Sequence, residues 1–90
     1  MNSKNNGSIV KAQAELTNGA KLEITFRQEE TKMFSYGNNT FVYVDGTVEK
    51  DGIVHTVSSS IDTRYYSGAL EECAADYINE RWDVESLAVS

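Results

Sequence analysis

Residues 66–83 read YSGALEECAADYINERWD, and the spacing inside this stretch decides the fold. At about 100° per residue, Tyr66, Leu70, Cys73, Ala74 and Tyr77 share one side of a helix, with Ile78 on its edge. Glu72, Asp76, Asn79, Glu80 and Asp83 fall on the opposite side. The spacing predicts one amphipathic helix over Tyr66–Asp83. One face asks for burial against a sheet, and the other carries a carboxylate about every turn, roughly 5–6 Å apart. Asp62 and Ser67 are the candidate caps at its start. Arg81 projects near the centre of the apolar face, in the last turn, where positive charge suits the helix dipole. From there its side chain can reach solvent, Asp83 or Glu85.

A face to be buried needs a platform, and the residues upstream supply one. Val10, Ala12, Ala14 and Leu16 alternate with Lys11, Gln13 and Glu15; after Thr17-Asn18-Gly19, Ala20, Leu22, Ile24 and Phe26 alternate with Lys21, Glu23, Thr25 and Arg27. Two period-2 runs around Asn-Gly read as a hairpin. A two-residue turn would put Leu16 opposite Lys21. A three-residue loop instead pairs Leu16 with Ala20, Ala14 with Leu22 and Val10 with Phe26, and leaves Gly19 for the left-handed position. The three-residue loop is therefore expected. Thr40–Lys50 and Ile53–Ile61 flank Asp51-Gly52, a type I′ candidate that sets Val48 opposite His55, Gly46 opposite Val57 and Val42 opposite Ile61. The reverse face pairs Tyr43 with Ser60, Asp45 with Ser58 and Thr47 with Thr56. Both hairpins thus have one apolar and one polar side, as in an antiparallel sheet solvated on one face, and both apolar sides are expected to meet the helix.

Between the hairpins, Lys32-Met33-Phe34-Ser35-Tyr36 reads as strand, either extending the one before it or standing alone ahead of a turn at Gly37-Asn38-Asn39. Val84–Ser90 reads as a short tail in which Val84 and Leu87 extend the packing. Residues 1–8 are polar and rich in Asn and Gly, and are expected to be a disordered leader. The expected architecture is an α+β domain over residues 9–90. It comprises an antiparallel sheet of four to five strands, built from two hairpins, with one C-terminal helix on a face.

Ninety residues make one domain that buries only about 60–65% of its unfolded surface, a size at which oligomerisation helps. A single cysteine, Cys73, excludes an intramolecular disulfide. There is no apolar run long enough to cross a membrane and no apolar core of a signal peptide near Met1, so a cytoplasmic location is expected. Asn6-Gly7-Ser8 and Asn38-Asn39-Thr40 are then accidental sequons. The formal charge of −6 is uneven: residues 62–90 hold seven acidic against two basic side chains. Such a surface repels phosphate backbones, which argues against direct nucleic-acid binding and suits a basic protein surface.

No pattern points to catalysis, a metal or a cofactor. His55 is the only histidine, and one imidazole with one distant cysteine makes no zinc site. His55 is expected on the sheet's inner side as a satisfied structural residue. Cys73, beside Glu71, Glu72 and Asp76, has neighbours that raise a thiol pKa, the opposite of what a nucleophile needs. No glycine-rich phosphate loop, dinucleotide fingerprint or nucleophile elbow occurs. The candidate binding residues are Glu72, Asp76, Glu80 and Asp83, with Trp82 on the helix flank and Tyr43 on the outer sheet face. Tyr, Trp and Arg dominate interface hot spots, which also draws attention to Tyr36 and to Arg64-Tyr65-Tyr66. A carboxylate row of this spacing is either a solvated helix face or a mimic of phosphates along a nucleic-acid strand.

Length, charge, the lack of a catalytic motif, and strands followed by an acidic helix ending Glu80-Arg81-Trp82-Asp83 are shared with a class of known proteins. In these respects the chain resembles the small acidic inhibitors that phages and mobile elements encode against bacterial defence, anti-CRISPR proteins among them. The resemblance covers the whole chain loosely and assigns no residue roles. It implies a non-enzymatic DNA mimic in the host cytoplasm that occupies the basic, nucleic-acid-binding surface of a defence complex, without membrane or direct nucleic-acid contact. The alternative is a structural or self-assembling module, such as a homodimer, that uses a sheet edge or the outer face. The strand order also resembles part of a double-stranded-RNA-binding domain. That family needs a lysine-rich start to its last helix, where this chain has Ala69-Leu70-Glu71-Glu72, and it is set aside.

Overall fold

The computed structural model describes residues 8–33, 37–62 and 69–90. Residues 1–7 of the expected leader 1–8, Phe34-Ser35-Tyr36 and the Arg64-Tyr65-Tyr66 and Ser67 positions lie outside the described residues, while Ser8, the last residue of that leader, is already strand. The elements run β1 (Ser8–Leu16), β2 (Lys21–Met33), β3 (Gly37–Lys50), β4 (Ile53–Asp62), α1 (Leu70–Arg81) and β5 (Val84–Val89). They form one antiparallel sheet in the order β4-β3-β2-β1-β5, with the helix on one face. The α+β class and the five-strand count match the sequence expectation.

Both hairpin registers hold. Ala14 lies opposite Leu22 and Val10 opposite Phe26. The loop closes through Leu16 N donating to Ala20 O at 2.9 Å and Gly19 N to Leu16 O at 3.0 Å, with Gly19 at φ 90°. Asn18 Oδ1 accepts from Ala20 N at 2.9 Å, a side-chain brace for the same turn. In the second hairpin Asp51 (φ 56°) and Gly52 (φ 80°) are both left-handed, as type I′ requires. The pairs Lys50–Ile53, Val48–His55 and Val42–Ile61 follow from it.

Four expectations are corrected. The segment Val84–Ser90 is no tail: Val84–Val89 is β5, paired along β1 with a register irregularity between Glu15 and Leu16. It is the fifth strand; of the stretch expected as strand at 32–36, Lys32 and Met33 extend β2, and 34–36 lie outside the described residues. Gly37-Asn38-Asn39 is not a turn but the start of β3, with Met33 opposite Gly37 and Thr31 opposite Asn39. The helix is shorter than Tyr66–Asp83. Asp62 ends β4, Ala69 sits at the N-cap, and Trp82 is already extended (φ −135°, ψ 154°). Glu72 Oε1 accepts from Ala69 N at 3.1 Å, the half of a capping box that needs no hydroxyl at the cap.

The fourth correction concerns coverage. The apolar side of α1 (Cys73, Ala74, Tyr77, Ile78) is buried as expected, but α1 lies over β1, β5 and β2. The core joins it to Val10, Ala12, Ala14, Leu16, Ala20, Leu22, Ile24, Phe26, Val42 and Val44. Tyr77 meets Phe26 edge to face at 5.6 Å. Along β4 the inward-pointing residues stay largely uncovered: Ile53 is 60% exposed, and His55 and Ser59 are exposed. A 12-residue helix is only about 18 Å long, and the described residues span 47 × 22 × 22 Å. One such helix cannot roof five strands.

Gly46 has its own reason. A Cβ there would collide with the Glu23 carbonyl oxygen and sit 2.6 Å from Ile24 Cα, so β2 and β3 approach in a way only glycine allows.

Candidate functional site

The helix places Glu72, Asp76 and Glu80 on its outward side, all exposed, four residues apart and hence in a row along the axis. They project away from the sheet because the residues between them, Cys73, Ala74, Tyr77 and Ile78, are held in the core. Glu71 and Glu72 in the first turn and Arg81 in the last complement the helix dipole. Asp83 lies past the helix in the link to β5; its side chain is exposed and its carbonyl accepts from Thr17 N at 2.9 Å. It therefore extends the acidic surface around the helix end and does not continue the helical row.

The two aromatic candidates part company. Trp82 stays beside the helix end, half-buried against Tyr77 at 6.1 Å between ring centroids. Tyr43 is on the outer sheet face opposite Ser60, with the Arg27 guanidinium 5.7 Å from its ring, and Arg27 Nε meets Glu29 Oε2 at 2.7 Å. The sheet separates Tyr43 from the acidic row, so one flat partner surface cannot touch both.

Arg81 pairs with neither Asp83 nor Glu85 but turns to Tyr77 and Glu80. Its guanidinium lies 3.9 Å from the centre of the Tyr77 ring, with Glu80 Oε1 at 3.9 Å. That contact answers why a cation sits on the apolar face: the ring quadrupole attracts it while half of the side chain stays wet.

His55 is opposite Val48 as expected, yet exposed rather than packed in the core, because the helix does not extend over β4. Cys73 is buried, and its thiol pKa is raised from the ordinary 9.0, first by burial and then by the Asp76 charge. Among the described residues no group of three or more His, Cys, Asp or Glu is arranged to hold a metal ion. Among the described residues no helix is long and apolar enough to cross a membrane.

One feature escaped the sequence reading. The outer sheet face holds an open trough of about 560 Å³ across β5, β1, β2 and β3, lined by Gln13, Glu15, Lys21, Glu23, Thr47, Glu49, Ser86 and Ala88 among others. Gln13 Nε2 donates to Glu23 Oε2 there at 3.2 Å. Alternation identifies these residues as outward-facing, but a period of two does not say that β5 and β3 flank β1 and β2 in one sheet. Set beside protein-family models, curated proteins and solved structures, the chain matches none of them.

Proposed function

We propose that this protein is a non-enzymatic binding protein of the inhibitor type, which occupies the nucleic-acid-binding surface of another protein with its acidic helix. The observation that carries this reading is the division of α1: Cys73, Ala74, Tyr77 and Ile78 are buried while Glu72, Asp76 and Glu80 are exposed in a row. A rigid row of anions about one turn apart fits Lys and Arg side chains spaced to receive phosphates. Asp83 and the half-exposed Trp82 at the helix end add charge and an aromatic anchor. Tyr43, on the other face, belongs to no such contact. The target class is a basic nuclease or surveillance complex of bacterial defence, blocked stoichiometrically in the anti-CRISPR manner. Association is steered by charge, fast at low ionic strength and weakened by salt.

The test is capture of nucleic-acid-binding proteins from a bacterial lysate on the immobilised chain, with DNA as competitor. Asp76→Lys and Glu80→Lys are combined with Glu72→Gln, which keeps the acceptor for Ala69 N and so the helix start. Captured protein should fall about 100-fold or more in the variant, and DNA should elute it from the wild type. Capture that survives charge reversal, in a variant with unchanged circular dichroism, refutes the phosphate-mimic reading.

A further inference from the structure

The two edges of the sheet differ in a way the acidic helix does not explain. Edge strands are normally blunted by being short, irregular or charged. β5 follows that rule: six residues, a register irregularity along β1, and Glu85 within it. β4 breaks it. It is ten residues long, regularly paired to β3, and from Ile53 to Ile61 carries no Lys, Arg, Asp, Glu or Pro. Ile53 and Val54 are 60% and 57% exposed, and Thr56, Ser58, Ser59 and Ser60 are exposed as well.

The hairpin settles which backbone groups point outward. In a two-residue type I′ hairpin the pair flanking the turn is hydrogen-bonded, so Ile53, His55, Val57, Ser59 and Ile61 direct their N–H and C=O toward β3. Val54, Thr56, Ser58 and Ser60 direct theirs to the free edge.

We infer that β4 pairs antiparallel with β4 of a second copy of this chain, about a two-fold axis through Val57. Three features select this occupant. Among the described residues Ile53–Ile61 of β4 is the longest run without a formally charged side chain, on a chain of −6, so a second copy meets no like charge along the nine paired residues. The Val57-centred register is self-complementary. It sets Ile53 opposite Ile61 and Val57 opposite Val57 on the inner face, and Thr56 opposite Ser58 and Val54 opposite Ser60 on the outer. Shifting the axis to Thr56 or Ser58 would instead pair Ile53 with Ser59 or His55 with Ile61. The register also matches the backbone phase: the four outward residues form about eight bonds between copies, leaving Val57 opposite Val57 as a non-hydrogen-bonded pair.

Nine paired residues make an edge about 31 Å long and about 10 Å tall, roughly 600 Å² in total, below the ~1,200 Å² of stable complexes. The dimer is accordingly weak, populated at high concentration. Because salt screens repulsion between two chains of the same sign, it strengthens the pairing, the opposite of its effect on docking through the helix. The two surfaces can thus be tested apart.

Sedimentation of the full chain from micromolar to millimolar concentration should show a monomer–dimer equilibrium that shifts toward dimer as salt rises. A protein that stays monomeric throughout overturns the inference, whatever else it binds. Register is read by disulfide trapping with oxidised glutathione. In Val57→Cys the two thiols are on residues about 4.5 Å apart between Cα atoms, within bridging range. In Ser59→Cys they are about 13 Å apart, beyond it. The first should cross-link at least about tenfold faster than the second; equal rates place the contact elsewhere and overturn the register. Should Val57→Cys fail to fold, Ser58→Pro removes one outward N–H per copy at an edge position that tolerates proline. It should weaken dimerisation at least about tenfold; an unchanged dimer overturns the inference.

Discussion

β1 and β4 are both read by a period of two, strict on β1 and interrupted on β4 by inward His55 and Ser59, and they meet different fates. On β1, Val10, Ala12, Ala14 and Leu16 are all buried; on β4, the corresponding Ile53, His55 and Ser59 are exposed and Val57 and Ile61 only partly covered. The helix makes the difference. β1 lies between β2 and β5 beneath α1, while β4 is at the far edge of the sheet. Side-chain size foreshadows it: Ala12 and Ala14 on β1 meet a helix whose own buried face includes Cys73 and Ala74, and small residues on both sides let a helix approach a sheet closely. Alternation states which side of a strand is apolar. It does not state whether anything covers that side.

The sharpest way to break this comparison is a pair of truncations. Phe26 is fully buried and holds Tyr77 of the helix edge to face, so Phe26→Ala should cost about 3–5 kcal/mol in urea unfolding. For a domain whose total stability is about 5–15 kcal/mol, that is enough to unfold much of the population. Ile53→Ala, at a side chain already 60% in water, should cost less than about 1 kcal/mol under conditions where the chain is monomeric. Equal costs would mean that β4 is covered after all.

Gly46 joins the two halves, since it lies on β3 between Ile24 of β2 and Val57 of β4. Gly46→Ala has to push backbone against backbone, because the atoms in the way are the Glu23 carbonyl oxygen and Ile24 Cα. We expect a loss of about 3 kcal/mol. The disturbance should reach both strands, seen as faster amide exchange on β2 and β4 together. A loss under about 1 kcal/mol would show that the two strands can part there without consequence for the core.

Much of this molecule was legible in the sequence because its signals are local. Asn18-Gly19 and Asp51-Gly52 carry their own turn chemistry, and each register follows from its loop length. The helix face reads from a spacing of 3.6, and Glu72, Asp76 and Glu80 emerged where that spacing put them. The misses are non-local. β5 is six residues whose apolar positions, Val84, Leu87 and Val89, do not alternate strictly; they become a strand because β1 offers an edge. The helix boundary moved because Trp82 and Asp83 continue the helical pattern while the chain turns back to meet Thr17. His55 was placed on the correct side of its strand but assigned a burial that only a longer helix could provide. The outer trough is lined from four strands at once, a neighbourhood that no single strand encodes.

Cysteine chemistry sharpens the comparison at a smaller energy. The Cys73 thiol is pushed up from 9.0 by burial and by Asp76, so above pH 9 the unfolded chain releases a proton that the folded chain keeps. Stability from this group is intact below pH 9 and falls above it, by at most about 1.4 kcal/mol per pH unit until the folded thiol also ionises. The difference in unfolding free energy between wild type and Cys73→Ala should therefore be flat below pH 9 and narrow above it. In the uncovered half, a thiol introduced by His55→Cys should react with a disulfide reagent at the rate of a free thiol, while Cys73 reacts only as fast as the core opens.

The smallest effect concerns the border between the regions, where Arg81 covers the Tyr77 ring at 3.9 Å and lies 3.9 Å from Glu80. Two origins of its stabilisation are separable. A cation over a ring, with its aliphatic stem on apolar surface, contributes about 0.5–1 kcal/mol at a half-exposed site. An ion pair between side chains this wet contributes little and is screened by salt. Arg81→Ala should then cost about 0.5–1 kcal/mol with scant dependence on salt, and Glu80→Gln almost nothing. Arg81→Lys should recover only part of the loss, because an ammonium keeps the charge but cannot lie flat on the ring. If Glu80→Gln matched Arg81→Ala, the pair and not the ring would hold Arg81. The acidic row would then be tied to the core through Glu80, and charge reversal along it would destabilise the fold as well as any docking.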